Sequence, residues 1–295
     1  MSHLQPPSTE EVRSAVISKV AIVTGAAQGI GFAIANLLAI SGAKVIIADI
    51  DENLGKKAED KIGHSALFIK CDVTSWSSQI NLFLRTIETH GRIDLVICNA
   101  GVNPELMVHP DLHGEASTSA KYDFLSDILD EKNPGNLRCP TGKIFDVNIT
   151  GVVYNIKLAI YHMLREGGRI VVIGSTGSYF GIHNMPLYAA SKHAVLGLIR
   201  SISGRAECLE NGISVSMVAP SITETRMTME VSKELPENVV ISSVHDITSA
   251  VSMAITQPKG NINGKSLWVQ GQTCIEVEDI IAECHEKLME SMLST

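Results

Sequence analysis

Val20-Ala21-Ile22-Val23-Thr24-Gly25-Ala26-Ala27-Gln28-Gly29-Ile30-Gly31 decides the fold. Four apolar residues run straight into a turn with three glycines, and a helical pattern, Phe32 to Ile40, follows at once. A strand that turns through glycines into a helix is what a dinucleotide fingerprint requires. Gly25 allows the tight turn, Gly29 lets backbone approach a pyrophosphate, and Gly31 permits close helix–strand packing. Gln28 and Ile30 lie in the same turn. The helix N-terminus would face phosphates with its free N–H groups.

The pattern repeats outward from there. Ala43 to Ala48 reads as a buried strand ending in Asp49, whose carboxylate can accept the adenosine ribose hydroxyls and would repel a 2′-phosphate. Neither Gln28 nor Ile50 is a cation that could bind such a phosphate, so NAD is expected over NADP. The other use of Asp49 is as the N-cap of a helix over 51–62. Ala66 to Cys71 is a third strand, closed by Asp72-Val73, and Ile93 to Cys98 a fourth, ending in Asn99-Ala100-Gly101. Between them Trp76, Ile80, Phe83, Leu84 and Ile87 fall at helical spacing. Alternating strands and helices predict an α/β fold: one Rossmann-type domain, a doubly wound parallel sheet of about seven strands with helices on both faces. The domain is expected over 18–272, after a flexible arm at 1–17 and before a helical tail at 273–295 with an apolar stripe.

Further along, Tyr188 and Lys192 in L-Y-A-A-S-K stand four residues apart, on one face of a helix. A phenol is a weak base at neutral pH, its ordinary pKa being about 10. A neighbouring ammonium favours the phenolate. The pair therefore offers an acid/base of adjustable strength.

Bulk properties exclude several classes. A net charge of −8 with no basic stripe argues against nucleic acid as a partner. With 45% hydrophobic and 19% charged residues the chain can fill a core, yet no apolar run reaches membrane-spanning length. The first nineteen residues lack the apolar centre of a signal peptide. The six cysteines show no C-x-x-C pair, and Cys71 and Cys98 sit in apolar runs, as expected of reduced core residues. A cytoplasmic protein is expected.

In order, T-G-x-x-x-G-x-G, Asp-Val, N-A-G, V-N, Ser and Y-x-x-x-K resemble the short-chain dehydrogenase/reductase family over roughly 18–272. V-A-I-V-T-G-A-A-Q-G-I-G and C-N-A-G-V-N are similar to hydroxyprostaglandin dehydrogenase-like members, and the long middle segment to alcohol dehydrogenases of polyketide and terpenoid pathways. The resemblance implies an oxidoreductase that interconverts a secondary alcohol and a ketone, a homodimer or homotetramer acting on a small molecule. It implies that Asp72 and Val73 flank the adenine and that Asn99, Ala100 and Gly101 line the cofactor. Tyr188 becomes the general acid/base, and Lys192 also holds the nicotinamide ribose. Asn148 holds a relay water, and Ser175 bonds the substrate oxygen, with Ser178 the competing choice. Thr223 and Thr225 would contact the carboxamide and phosphates. A non-redox enzyme on the same scaffold is the alternative function.

Two positions depart from the family's pattern. Cys98 stands where asparagine is common, and Pro220-Ser221 replaces Pro-Gly, where serine reaches positive φ less readily. The segment 104–140 is longer than such folds need and is expected to form a substrate-side lid, with an oligomer contact as the other use. Within it, 122–129 could form a short helix. His109 and His113 are spaced for a metal, but Pro110 and Gly114 argue against the helix that would align them, so no metal is expected. Tyr179, Phe180, Met185 and Met107 suggest a bulky apolar substrate of secondary-metabolite, lipid or steroid type.

Overall fold

A computed structural model describes residues 4–106, 142–228, 236 and 238–293. In chain order the main elements are α1 (Thr9–Val16), β1 (Val20–Thr24), α2 (Gly29–Ile40), β2 (Lys44–Asp49), α3 (Glu52–Ile62), β3 (Ala66–Lys70), α4 (Trp76–His90) and β4 (Leu95–Cys98). They continue as α5 (Gly151–Met163), β5 (Gly168–Ile173), α6 (Pro186–Ser203), β6 (Ile213–Pro220), α7 (Val244–Thr256), β7 (Ser266–Gln270), β8 (Thr273–Glu276) and α8 (Glu278–Leu293).

One sheet runs β3-β2-β1-β4-β5-β6-β7-β8. Every pairing is parallel except β7 with β8. Side chains alternate across a strand, so Ala21 and Val23 join the core on one face while Ile22 joins the other. The first face is covered by α1, α2 and α7, the second by α4, α5 and α6. Strands buried on both faces need apolar residues throughout, which is why β1, β4 and β6 read as unbroken runs. The chain crosses from one side of β1 to the other between β3 and β4. That reversal opens a crevice beyond the C-terminal ends of β1 and β4, where open α/β sheets bind ligand.

The sheet carries one antiparallel strand beyond seven parallel ones, and two expectations are corrected. The sheet has eight strands: Gly271, at φ 56°, turns the chain back so that Thr273–Glu276 pairs antiparallel with β7. The segment from 273 is thus strand first, and its helix starts at Glu278. Within the expected flexible arm, Thr9–Val16 is a helix. Ser8 and Glu11 form a reciprocal capping box, and Val12 and Val16 are buried where α1 packs on α7. The amide of Leu4 donates to the carbonyl of Cys274, tying this region to β8. Residues 107–141, and with them most of the expected lid, the helix at 122–129, Met107 and the two histidines, lie outside the described residues.

Candidate active site

The glycine turn is fitted against the end of β4. Gly25 and Gly29 have φ of 63° and 59°, which side chains resist. A Cβ on Gly25 would come within 2.8 Å of the Ala100 Cα, and one on Gly31 within 2.2 Å of the Gly25 carbonyl oxygen. Gly31 is therefore small to let α2 close onto its own turn, while nothing lies within 4 Å of a Cβ on Gly29. Asn99 stitches the two loops, donating from Nδ2 to the carbonyls of Thr24 and Gly25 at 2.9 and 3.0 Å. The Thr24 hydroxyl accepts from the amides of Asn99 and Ala100.

Helix α2 begins at Gln28 without a side-chain cap, so its first-turn N–H groups face the open space over Gly29 and Ile30. Such an uncapped terminus suits a pyrophosphate. Asp49 stands beside it: Oδ2 accepts from the Ala27 amide and Oδ1 from the Asp51 amide, each at 3.0 Å. Each oxygen keeps a lone pair for a ribose hydroxyl. The cap of α3 is Asp51, which accepts from the Leu54 amide, and among the described residues no cation pairs with Asp49. Ile50 is exposed next to it. These residues fit a dinucleotide.

On the far side of the crevice, Asp72 folds its own loop by accepting from Thr74. The Val73 carbonyl accepts from Gln79 Nε2 at 2.6 Å, and Gln79 also donates to the Gly151 carbonyl. Gln79 accepts in turn from Asn155, whose Oδ1 accepts from the Cys98 thiol at 3.4 Å. Cys98 thus closes a buried polar chain, and burial pushes its thiol up to about 12.

The residues expected to do acid/base work come from three segments. Asn148 lies in a π-turn, Asp146–Thr150, at the start of α5. Such turns are frequent at functional sites. Its Oδ1 accepts from the Val102 amide at 2.8 Å, and its Nδ2 donates to the Val102 carbonyl at 2.9 Å and the Ser191 hydroxyl at 3.1 Å. Ser191 donates to the Tyr188 carbonyl. Ser175 caps a single 3-10 turn by accepting from the Gly177 amide. It also stands near enough to the Tyr188 phenol to favour its ionised form. The hydroxyl of Ser178, buried in that same turn, has no hydrogen-bond partner among the described residues.

Lys192 is buried, donates to the Ile173 carbonyl at 3.1 Å, and sits 5.6 Å from the centre of the Tyr188 ring. A Cβ on Gly101 would lie 3.4 Å from Asn148 Oδ1 and 3.8 Å from Lys192 Nζ, so this corner also adjoins the loop after β4. Desolvation shapes its titration. Burial brings the Lys192 ammonium down to about 8. Burial also pushes the Tyr188 phenol up, while Ser175 acts downward. Loss of solvent is thus the larger effect on the phenol, opposite in direction to the lowering expected from its spacing to Lys192.

Ser221 meets the loop after β6 without positive φ; Ser18 alone among described non-glycine residues has that geometry. The Thr223 hydroxyl donates to the Ser221 carbonyl, and Thr225 bonds Thr228. Both threonines are engaged within their own loop. The Tyr179 hydroxyl, taken from sequence as pocket lining, donates to Glu278 at the start of α8. Glu278 also takes two bonds from Arg200 of α6. Sequence reasoning missed Gln79, Asn155 and Ser191, although polar residues on the buried face of helices were a legible signal. It also missed Glu105, a buried carboxylate in the loop after β4. Among the described residues no group of three His, Cys, Asp or Glu could hold a metal, and no helix is long and apolar enough to cross a membrane.

A parallel sheet reversed at β1, a glycine turn under that crevice and a Ser–Tyr–Lys corner beside it define a nicotinamide-dependent oxidoreductase. The chain belongs to the short-chain dehydrogenase/reductase family, since the family model for short chain dehydrogenase matches residues 19–124 and 136–236. It is 36% identical over 217 residues to the short-chain dehydrogenase/reductase ascJ of Acremonium egyptiacum, covering 72% of this chain and 66% of that one. It is 27% identical over 259 residues to the 15-hydroxyprostaglandin dehydrogenase [NAD(+)] of Rattus norvegicus, covering 84% and 85%. The crystal structure of gox2181, 26% identical, superposes over 90% of this chain and 97% of that one with a TM-score of 0.70. The protein is an oxidoreductase acting on CH–OH groups.

Proposed function

We propose that the protein interconverts a secondary alcohol and a ketone with NAD as co-substrate, Tyr188 serving as general acid/base. The observation that carries this is the corner in which buried Lys192 sets Nζ 5.6 Å from the centre of the Tyr188 ring, with Ser175 acting on the same phenol. A bound nicotinamide supplies the two-electron acceptor, so that alcohol and NAD+ give ketone, NADH and one proton. Tyr188 takes the hydroxyl proton in oxidation and returns it to the carbonyl oxygen in reduction. Ser175 holds the substrate oxygen. Lys192 lends positive charge to the phenolate and reaches the nicotinamide ribose. Asn148 maintains the route by which the proton leaves.

Asp49 supports NAD over NADP, because a 2′-phosphate would meet its carboxylate with no cation beside it. The prostaglandin dehydrogenase relative is named as an NAD(+) enzyme, which agrees. Cellular NAD is held mostly oxidised, which favours oxidation. The half-exposed Phe180 and the neighbouring Met185 suit a bulky apolar alcohol of secondary-metabolite, lipid or steroid type. A homodimer or homotetramer in the cytoplasm completes the proposal. A panel of bulky and small secondary alcohols and ketones, followed by NAD(H) absorbance, tests it. Turnover of bulky members with NAD is expected; turnover only with NADP, or none with any member, overturns it.

A further inference from the structure

The loop leaving β4 carries Glu105, only 5% exposed. A buried carboxylate is costly unless its oxygens are satisfied. Here Oε2 accepts the backbone N–H of Tyr188 at 2.8 Å and Oε1 that of Leu187 at 3.2 Å. These are the second and third positions of α6. Pro186, the first, has no N–H, and Met185, the N-cap, provides no side-chain bond. The cap that α6 lacks locally therefore arrives from a segment some eighty residues earlier in the chain. It is a charged acceptor at the positive end of an eighteen-residue helix.

The loop that delivers it is itself fixed at each step. Asn148 holds both backbone groups of Val102. Asn103, also buried, accepts from the Glu105 amide and donates to Met185 Sδ at 3.1 Å. One short loop thus touches Asn148, the residue before α6 and the backbone of Tyr188. We propose that Glu105 is the positioning residue for Tyr188. Its carboxylate clamps the first turn of α6, which fixes the phenol against Ser175, and its charge opposes phenolate formation. The inference rests on Tyr188 being the acid/base. Lys192 from its own helix and Ser175 from the loop after β5 stand by the phenol, while Glu105 from the loop after β4 meets the backbone amide of the same residue.

The test compares Glu105→Gln and Glu105→Ala with wild type, using Tyr188→Phe as reference. Wild-type minus Tyr188→Phe ultraviolet difference spectra isolate the tyrosinate signal of Tyr188, with no substrate needed. In Glu105→Gln, which keeps the shape and loses the charge, that titration is expected to move at least half a pH unit towards acid. With an alcohol from the panel, kcat should fall about tenfold in Glu105→Gln and about fiftyfold or more in Glu105→Ala. The NADH dissociation constant should stay within twofold. An unmoved tyrosinate titration with kcat unchanged in both variants overturns the inference. So does a failure of both to fold, which would make Glu105 a stability element. If Tyr188→Phe keeps its activity, the acid/base role of Tyr188 falls instead; if Tyr188→Phe is inactive and the Glu105 variants are silent, only the role of Glu105 falls.

Discussion

The two sides of the crevice are built from different materials. On the nucleotide side, Gly25 to Gly31 and Asp49 lie within one strand–helix–strand stretch, and backbone groups and one carboxylate near solvent do most of the work. On the proton side, Asn148, Ser175, Glu105 and the Tyr188–Lys192 pair of α6 arrive from four separate segments, and all but the partly buried Tyr188 are buried. Backbone costs little to place, because the fold already fixes it. Buried polar side chains must each be matched, and each match constrains the next. The first region should therefore govern affinity and the second chemistry and stability together.

Tyr188→Phe would break that contrast most directly. We expect turnover to fall by about a thousandfold, within the usual range for general acid/base groups, while NADH binding by fluorescence stays within threefold. Residual activity within tenfold of wild type would remove Tyr188 from the chemistry. Lys192 tests the stability side. Its pKa falls from the ordinary 10.5 to about 8 on folding. Below pH 8 both folded and unfolded states hold the proton. From there up to about 10 the unfolded state binds more, so stability rises with pH. The full shift corresponds to at most on the order of 3 kcal/mol. Tyr188 acts the opposite way above about pH 10, because its phenol is raised on folding. Denaturant titrations of Lys192→Met should show a flatter rise between pH 8 and 10 than wild type; parallel curves would mean that Lys192 stays charged when buried.

Asp49→Ala addresses the nucleotide side. The ratio of kcat/KM for NAD over NADP should drop at least tenfold, about 1.4 kcal/mol. An unaltered ratio would place cofactor choice elsewhere. The smallest effect is expected far from either side. Ser8→Ala removes the capping box of α1, at a cost of about 1 kcal/mol, visible as a lower Tm with kcat and NADH affinity untouched. Altered NADH affinity in that variant would couple α1 to the crevice.

The nucleotide side was legible because its parts are local. Glycines at fixed separation after an apolar run announce a turn, and Asp49 ends the next run. The Tyr188–Lys192 spacing was legible for the same reason, one helical turn being a local fact. What could not be read is what depends on packing. Desolvation of Tyr188 and Lys192 follows from how α6 sits on the sheet, and no spacing encodes it. Glu105 falls in the stretch expected to form a substrate-side lid, and its partners at Leu187 and Tyr188 are too distant in sequence to suggest a cap. The α1 box, Ser8 with Glu11, was readable but was obscured by Pro6 and Pro7 just before it. Strand β8 is four residues long, too short for a periodic signal.

The seat of α1 also sets an order of events during synthesis. Val12 and Val16 are covered by α7, and Leu4 is tied to Cys274. A ribosome making 5–20 residues per second takes on the order of ten to fifty seconds to travel from residue 16 to residue 244. Throughout that interval α1 lacks its seat on α7, while β1 to β6 and their helices can already assemble. Helix α1 thus precedes every other described element in the chain yet gains its seat on α7 among the last.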